Sequence, residues 1–155
     1  MPSIRKNSDA HLSHVTIYTD GACSPNPGPG GWAAVLWFGE HKKILTGSET
    51  LTTNNRMELT AAIRALQALE RPSLVELYTD SEYLRRGVTE WLPRWRARQW
   101  RRKGGSLANL DLWQTLDSLI HQHEVTWHWV RGHSDDPNNL LVDTLARHAI
   151  PKNKC

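Results

Sequence analysis

Val15-Thr16-Ile17-Tyr18-Thr19-Asp20 and Leu74-Val75-Glu76-Leu77-Tyr78-Thr79-Asp80 close on the same tripeptide. Each is a short β-branched and aliphatic run of the kind that forms a half-buried strand. Side chains alternate along a strand, so Tyr and Asp of each tripeptide share one face and Thr takes the other. Laid side by side, the two strands bring Asp20 and Asp80 together at their ends. Two adjacent carboxylates repel unless a proton or a cation lies between them. The rest of the chain can be asked whether it completes a metal site.

Outward from these strands, the pattern predicts further strands near 32–38, 43–50 and 124–130, with the first near 15–22 and the fourth at 74–79. Helices are expected at about 56–70, 81–91, 110–121 and 138–149. Leu59, Ala62, Ile63, Leu66 and Leu69 form the apolar stripe of the 56–70 helix, and Pro72 ends it. Pro93 is expected to break the helix begun at Ser81. Leu110, Trp113, Leu116 and Ile120 mark one side of the next helix, and Trp113, Trp127 and Trp129 are assigned to the core. Hairpins followed by strand–helix alternation specify an α/β fold, a five-stranded mixed sheet with helices on both faces. Sites in such sheets gather at strand C-terminal ends.

A chain of 155 residues with 39% apolar content suits one domain. Residues 1–13 read as a flexible extension, 14–150 as the domain, and 151–155 as a tail. The polar start lacks a signal core, and no run is long enough to span a membrane. Cys23 and Cys155 do not make a disulfide framework, so a reducing cytoplasm is expected. Nothing in the pattern signals oligomerisation, so a monomer is expected.

Charge is unevenly spread. Between Arg85 and Lys103 lie eight basic residues and one acid, Glu90, leaving eleven basic and fifteen acidic residues for the rest. Arg94, Arg96, Arg98, Arg101, Arg102 and Lys103 interleave with Trp91, Trp95 and Trp100, forming a basic protrusion near 91–106. Its ordinary explanation is packing of a small helix. Its functional one is a nucleic-acid platform, cations on phosphates and indoles on sugars or bases.

Each acid also has a plain structural explanation. Asp20 precedes a glycine turn, Asp80 is placed to cap a helix, and Glu58 follows Asn55 at capping-box spacing. Asp143 and Arg147 form an i,i+4 pair. Yet Glu58 lies one turn before Ala62 and faces the buried stripe, where an unpartnered carboxylate is costly. Converging carboxylates without Cys or His ligands select a hard cation, Mg²⁺ or Mn²⁺, and hence phosphodiester or phosphoryl chemistry. His133, in the loop after the fifth strand, is the candidate proton shuttle.

These residues, with Asp20-Gly21-Ala22-Cys23, Asn26-Pro27-Gly28-Pro29-Gly30-Gly31-Trp32, Thr52-Thr53-Asn54-Asn55-Arg56-Met57-Glu58, Thr79-Asp80-Ser81, Trp129-Val130-Arg131-Gly132-His133 and Leu145-Ala146-Arg147, resemble type 1 ribonuclease H, of the bacterial ribonuclease HI branch. The resemblance covers about residues 14–150. It implies endonucleolytic cleavage of the RNA strand of an RNA–DNA hybrid by two Mg²⁺ ions, giving 5′-phosphate and 3′-hydroxyl products. By motif, Asp20, Glu58, Asp80 and Asp143 are metal ligands and His133 moves protons. The Cys23 backbone, Asn26, Asn54 and Asn55 meet the minor groove, where 2′-hydroxyls distinguish RNA. Thr53, Asn54, Trp91 and the protrusion take the DNA strand. Glu82 stands where the family has Gln, and Leu140 where it often has an acid. Two rivals stay open, a DNA-cutting nuclease of the same fold and a non-catalytic hybrid-binding module.

Overall fold

The computed structural model describes residues 12–100, 108–131 and 136–152. Five strands, β1 (Ser13–Cys23), β2 (Gly28–Phe38), β3 (His41–Thr52), β4 (Ser73–Thr79) and β5 (Glu124–Trp129), form one mixed sheet in the order β3-β2-β1-β4-β5. The first three pair antiparallel; β4 and β5 continue the sheet parallel to β1. Helix α1 (Asn54–Gln67) crosses from β3 to β4. Helices α2 (Glu82–Arg86), α3 (Leu92–Ala97) and α4 (Leu110–Gln122) lie between β4 and β5, and α5 (Pro137–Ala149) follows.

Strand alternation splits the core between the two faces. Ile17, Leu36 and Leu77 pack with Leu59, Leu66, Trp113 and Leu116 of α1 and α4. Tyr18, Ala33 and Val35 pack on the other face with Val142 and Ala146 of α5. Helices therefore cover both faces, as the sequence pattern requires.

Tyr18 stands opposite Tyr78 in the parallel register, so the two tripeptides lie side by side. The register continues to His128 on β5. Tyr18 and Tyr78 stack with centroids 4.6 Å apart, and Tyr78 and His128 at 4.3 Å, a ladder of rings across three strands. His128 Nε2 closes the ladder on the Glu76 carboxylate.

Several expected boundaries shift. β1 does not stop at Asp20; it pairs with β2 through Cys23 opposite Gly30. β2 accordingly begins at Gly28, because the glycine run can be paired as well as turned. Pro93 does not end the helical segment. A π turn, Gly87–Trp91, joins α2 to α3, with Leu92 N–H reaching back five residues to Gly87 O. The wide turn makes room for the ring, and the donor Pro93 lacks falls in the first turn of α3. Gly87 permits the turn to lie flat on the core: a Cβ there would stand 1.9 Å from the Trp113 ring.

Trp113 is fully buried, but Trp127 and Trp129 are only half-buried and stack on each other at 5.4 Å. β5 is the edge strand, which leaves their outer sides uncovered. On α4, Leu119 is more deeply placed than Ile120.

Candidate metal centre and nucleic-acid surface

Asp20, Glu58 and Asp80 each offer a carboxylate oxygen, and these oxygens lie within 4.8 Å of one another. Asp20 comes from β1, where its Oδ1 accepts the Gly21 N–H at 2.9 Å. A side chain at Gly21 would press into the backbone of Met57 and Glu58, with contacts of 2.4 Å. The missing Cβ is what lets α1 approach β1 and deliver Glu58.

The plain explanations for these acids fail in three of four cases. Thr53, not Asn55, caps α1, its hydroxyl accepting from Arg56 N–H. Glu58 is released from capping and buried. Ser81, not Asp80, caps α2, its hydroxyl accepting from Leu84 N–H. Asp20 makes no turn, since its strand runs on. Asp143 does pair with Arg147, at 3.0 Å. It still lines the open cleft of about 480 Å³ that contains Asp20, Glu58 and Asp80, although it falls outside their tight group.

Crowding disturbs every acid of the trio. Burial, then the Asp80 charge, lifts the Asp20 carboxyl to about 7. Burial and the Asp20 and Asp80 charges hold Glu58 well above the carboxylate range. Asp80 is raised by burial and by Asp143. Glu58 Oε2 is buried with no hydrogen-bond partner among the described residues. An orphaned carboxylate oxygen facing two more carboxylates is a ligand set without its cation, and all-oxygen donors suit Mg²⁺ or Mn²⁺ rather than a soft metal. The residues present fit a divalent hard cation.

The proposed groove residues divide. Asn54 and Asn55 line the cleft. Asn26 Oδ1 accepts the Asn54 N–H at 3.1 Å, tying the β1–β2 connection to the start of α1. Cys23 is half-buried, its Sγ within 3.5 Å of the Pro25, Gly28 and Thr52 carbonyls. Glu82 lines the cleft and meets Arg85 at 3.8 Å. Trp91 stacks on Trp95 at 5.9 Å, and both turn an edge to Trp113. Arg94 and Arg98 are exposed and make no ion pair among the described residues. Arg96 is held by Asp117 of α4 at 3.0 Å. Arg101, Arg102, Lys103 and His133 lie outside the described residues.

Two positioning contacts went unread in the sequence. Arg56 binds Asp111 at 3.1 Å and Asn109 at 3.1 Å, fastening the start of α1 to the start of α4. The Tyr83 hydroxyl accepts from Trp113 Nε1 and Asn109 Nδ2. Both span many residues, so only the Arg inside the Asn54-Asn55-Arg56 run hinted at the first. Asp136, beside the undescribed loop, caps α5 and accepts the Tyr18 hydroxyl at 3.1 Å. Burial and that carboxylate push Tyr18 to about 12.

The sequence model of the RNase H family matches residues 12–151. Ribonuclease H of Polynucleobacter asymbioticus is 53% identical over 146 residues, 94% of each chain. That of Halorhodospira halophila is 57% identical over 137 residues, 88% of this chain and 92% of its own. Among solved structures, LC9-RNase H1, a type 1 RNase H with the type 2 active-site motif, superposes with a TM-score of 0.81 at 32% identity. The match covers 90% of this chain and 72% of that one. LC11-RNase H1 in complex with an RNA/DNA hybrid shares the fold, with a TM-score of 0.67 at 23% identity over 88% and 96% of the two chains. With a family match across nearly its whole length and relatives above half identity, this chain belongs to the ribonuclease H family.

Proposed function

We propose that the chain is a monomeric cytoplasmic endoribonuclease that hydrolyses the RNA strand of RNA–DNA hybrids with two Mg²⁺ ions, leaving 5′-phosphate and 3′-hydroxyl ends. The observation that carries this is the carboxylate trio with a buried, unpartnered Glu58 oxygen. No helix of the described residues is long and apolar enough to cross a membrane.

Asp20, Glu58, Asp80 and Asp143 hold the metal. When bound, it supplies positive charge against the scissile phosphate and lowers the pKa of the attacking water. The raised carboxyls of Asp20 and Glu58 surrender their protons to a cation, so metal loading and deprotonation are one event. Asn54 and Asn55 offer side-chain amides along the cleft to the sugar edge of the hybrid. His133 takes the proton-transfer role by its place in the Gly132-His133 motif. Arg94 and Arg98 remain available to phosphates of the DNA strand.

The reading is tested by offering labelled RNA–DNA hybrid, duplex DNA and duplex RNA with Mg²⁺, Mn²⁺ or chelator. Cleavage of the RNA strand of the hybrid alone, in metal alone, is expected. Cutting of duplex DNA in preference, or binding without cleavage in either metal, would replace the reading with one of its rivals.

A further inference from the structure

A second cleft, of about 500 Å³, lies on the far side of the wall formed by Asp80, Ser81 and Glu82, toward the edge strand β5. Its other lining includes Arg85, Arg131 and Trp129. Its chemistry is the reverse of the metal cleft. There, four acids face one arginine, Arg147, which Asp143 already holds. Here, two exposed arginines stand over the half-buried indole of Trp129.

Neither arginine is firmly committed. Arg131 makes no ion pair among the described residues. Arg85 has only an exposed, long contact to Glu82, at 3.8 Å, of the kind that contributes little. The walls around them are firm. Val130 N–H donates to Thr79 O at 2.9 Å, Ser81 N–H to Thr79 Oγ1 at 3.1 Å, and Trp129 stacks on Trp127. The result is two mobile cations on a fixed frame with an apolar floor.

A strand whose phosphate is cleaved at Asp20 and Asp80 must carry its neighbouring nucleotide past one side of that wall. A guanidinium matches a phosphate's paired oxygens, and an indole face suits a sugar. We propose that Arg85 and Arg131 form a subsite for a backbone phosphate of the cleaved strand, next to the scissile one, with Trp129 beneath its ribose. Glu82 holds Arg85 until that phosphate replaces it. The wall thus separates a cleft that neutralises phosphate with metal from one that does so with arginine.

The subsite rests on the proposed hybrid-cleaving function, and its test reads binding, so that the two can fail separately. In an Asp20→Asn background, hybrid affinity is measured by fluorescence anisotropy for Arg131→Gln, Arg85→Gln and the pair. The hybrids carry one neutral methylphosphonate linkage, moved stepwise along the RNA strand and then the DNA strand. Each single variant should weaken binding several-fold and reduce the salt slope by about one. Those losses should vanish when the neutral linkage occupies one RNA-strand position beside the cleaved bond. Losses that persist at every RNA position, or that vanish only for a DNA-strand linkage, overturn the subsite. Failure of the unmutated protein to cut the hybrid would overturn the parent function and leave this coupling measurable.

Discussion

Around Asp20 and Glu58, carboxylates face one another across a cleft whose lining holds a single cationic side chain, Arg147. Along residues 82–97 every crowded group has company. Arg85 meets Glu82, Arg86 meets Glu90 and lies over Trp91, Arg96 meets Asp117, and Trp91, Trp95 and Trp113 interlock. One region keeps its charge unresolved until a cation arrives. The other settles its charge internally and leaves only Arg94 and Arg98 to offer. The first is arranged for reaction, the second for shape.

The contrast can be broken most sharply at the acids. Asp20→Asn or Asp80→Asn should cut kcat/KM by more than about 100-fold, since even outer partners of a metal site cost 10–100-fold. Hybrid affinity should stay within a few-fold, because the arm is untouched. Steady-state cleavage beside anisotropy shows whether loss of rate and loss of binding separate. Trp113→Ala should do the opposite. It removes the indole at the centre of the arm's rings and lowers stability by roughly 3–5 kcal/mol, read in urea unfolding.

Metal-free stability should also distinguish the two regions. Unfolded, Asp20 titrates near its usual 3.8; folded, it holds its proton to about 7, and Glu58 and Asp80 are raised too. Between those values the unfolded chain binds fewer protons, so this contribution to stability is lost as pH rises from about 4 to about 7. Asp20→Asn should therefore stabilise the metal-free protein near neutrality, by an amount that shrinks toward pH ~4. Calorimetry in chelator tests this, and a constant difference across the window would contradict it. Added Mg²⁺ should raise the wild-type melting temperature and scarcely that of the variant.

The smallest effect lies within the arm. Arg98→Gln should flatten the salt dependence of hybrid binding by about one slope unit with little change in stability. Arg96→Gln should cost about 1 kcal/mol through its pair with Asp117 and change the slope less. Equal slope changes would mean that Asp117 releases Arg96 to the substrate.

The side-by-side placement of Asp20 and Asp80 was legible because strand period and repeated tripeptide together set a register. The inward aim of Glu58 was legible from the helical stripe. Pro93 misled because proline is costly only where its missing donor is needed, and the π turn removes that need. The ring ladder of Tyr18, Tyr78 and His128 could not be read, because the partner of β4 on its far side lies some fifty residues along the chain. Trp127 and Trp129 look like core by composition, and only their position on the sheet's edge exposes them.

The turn at Gly87–Trp91 has a consequence for how this chain tolerates change. An α-helix advances about 100° per residue, and a π turn holds one residue more than an α turn in the same rise. That extra residue sets the phase of everything after it, including which side of α3 shows indoles to Trp113 and which shows arginines outward. Deleting one residue between Gly87 and Trp91 would leave composition and charge almost unchanged. It would turn the tryptophans to solvent and the arginines toward the core. In this arm, spacing carries information that side-chain identity does not.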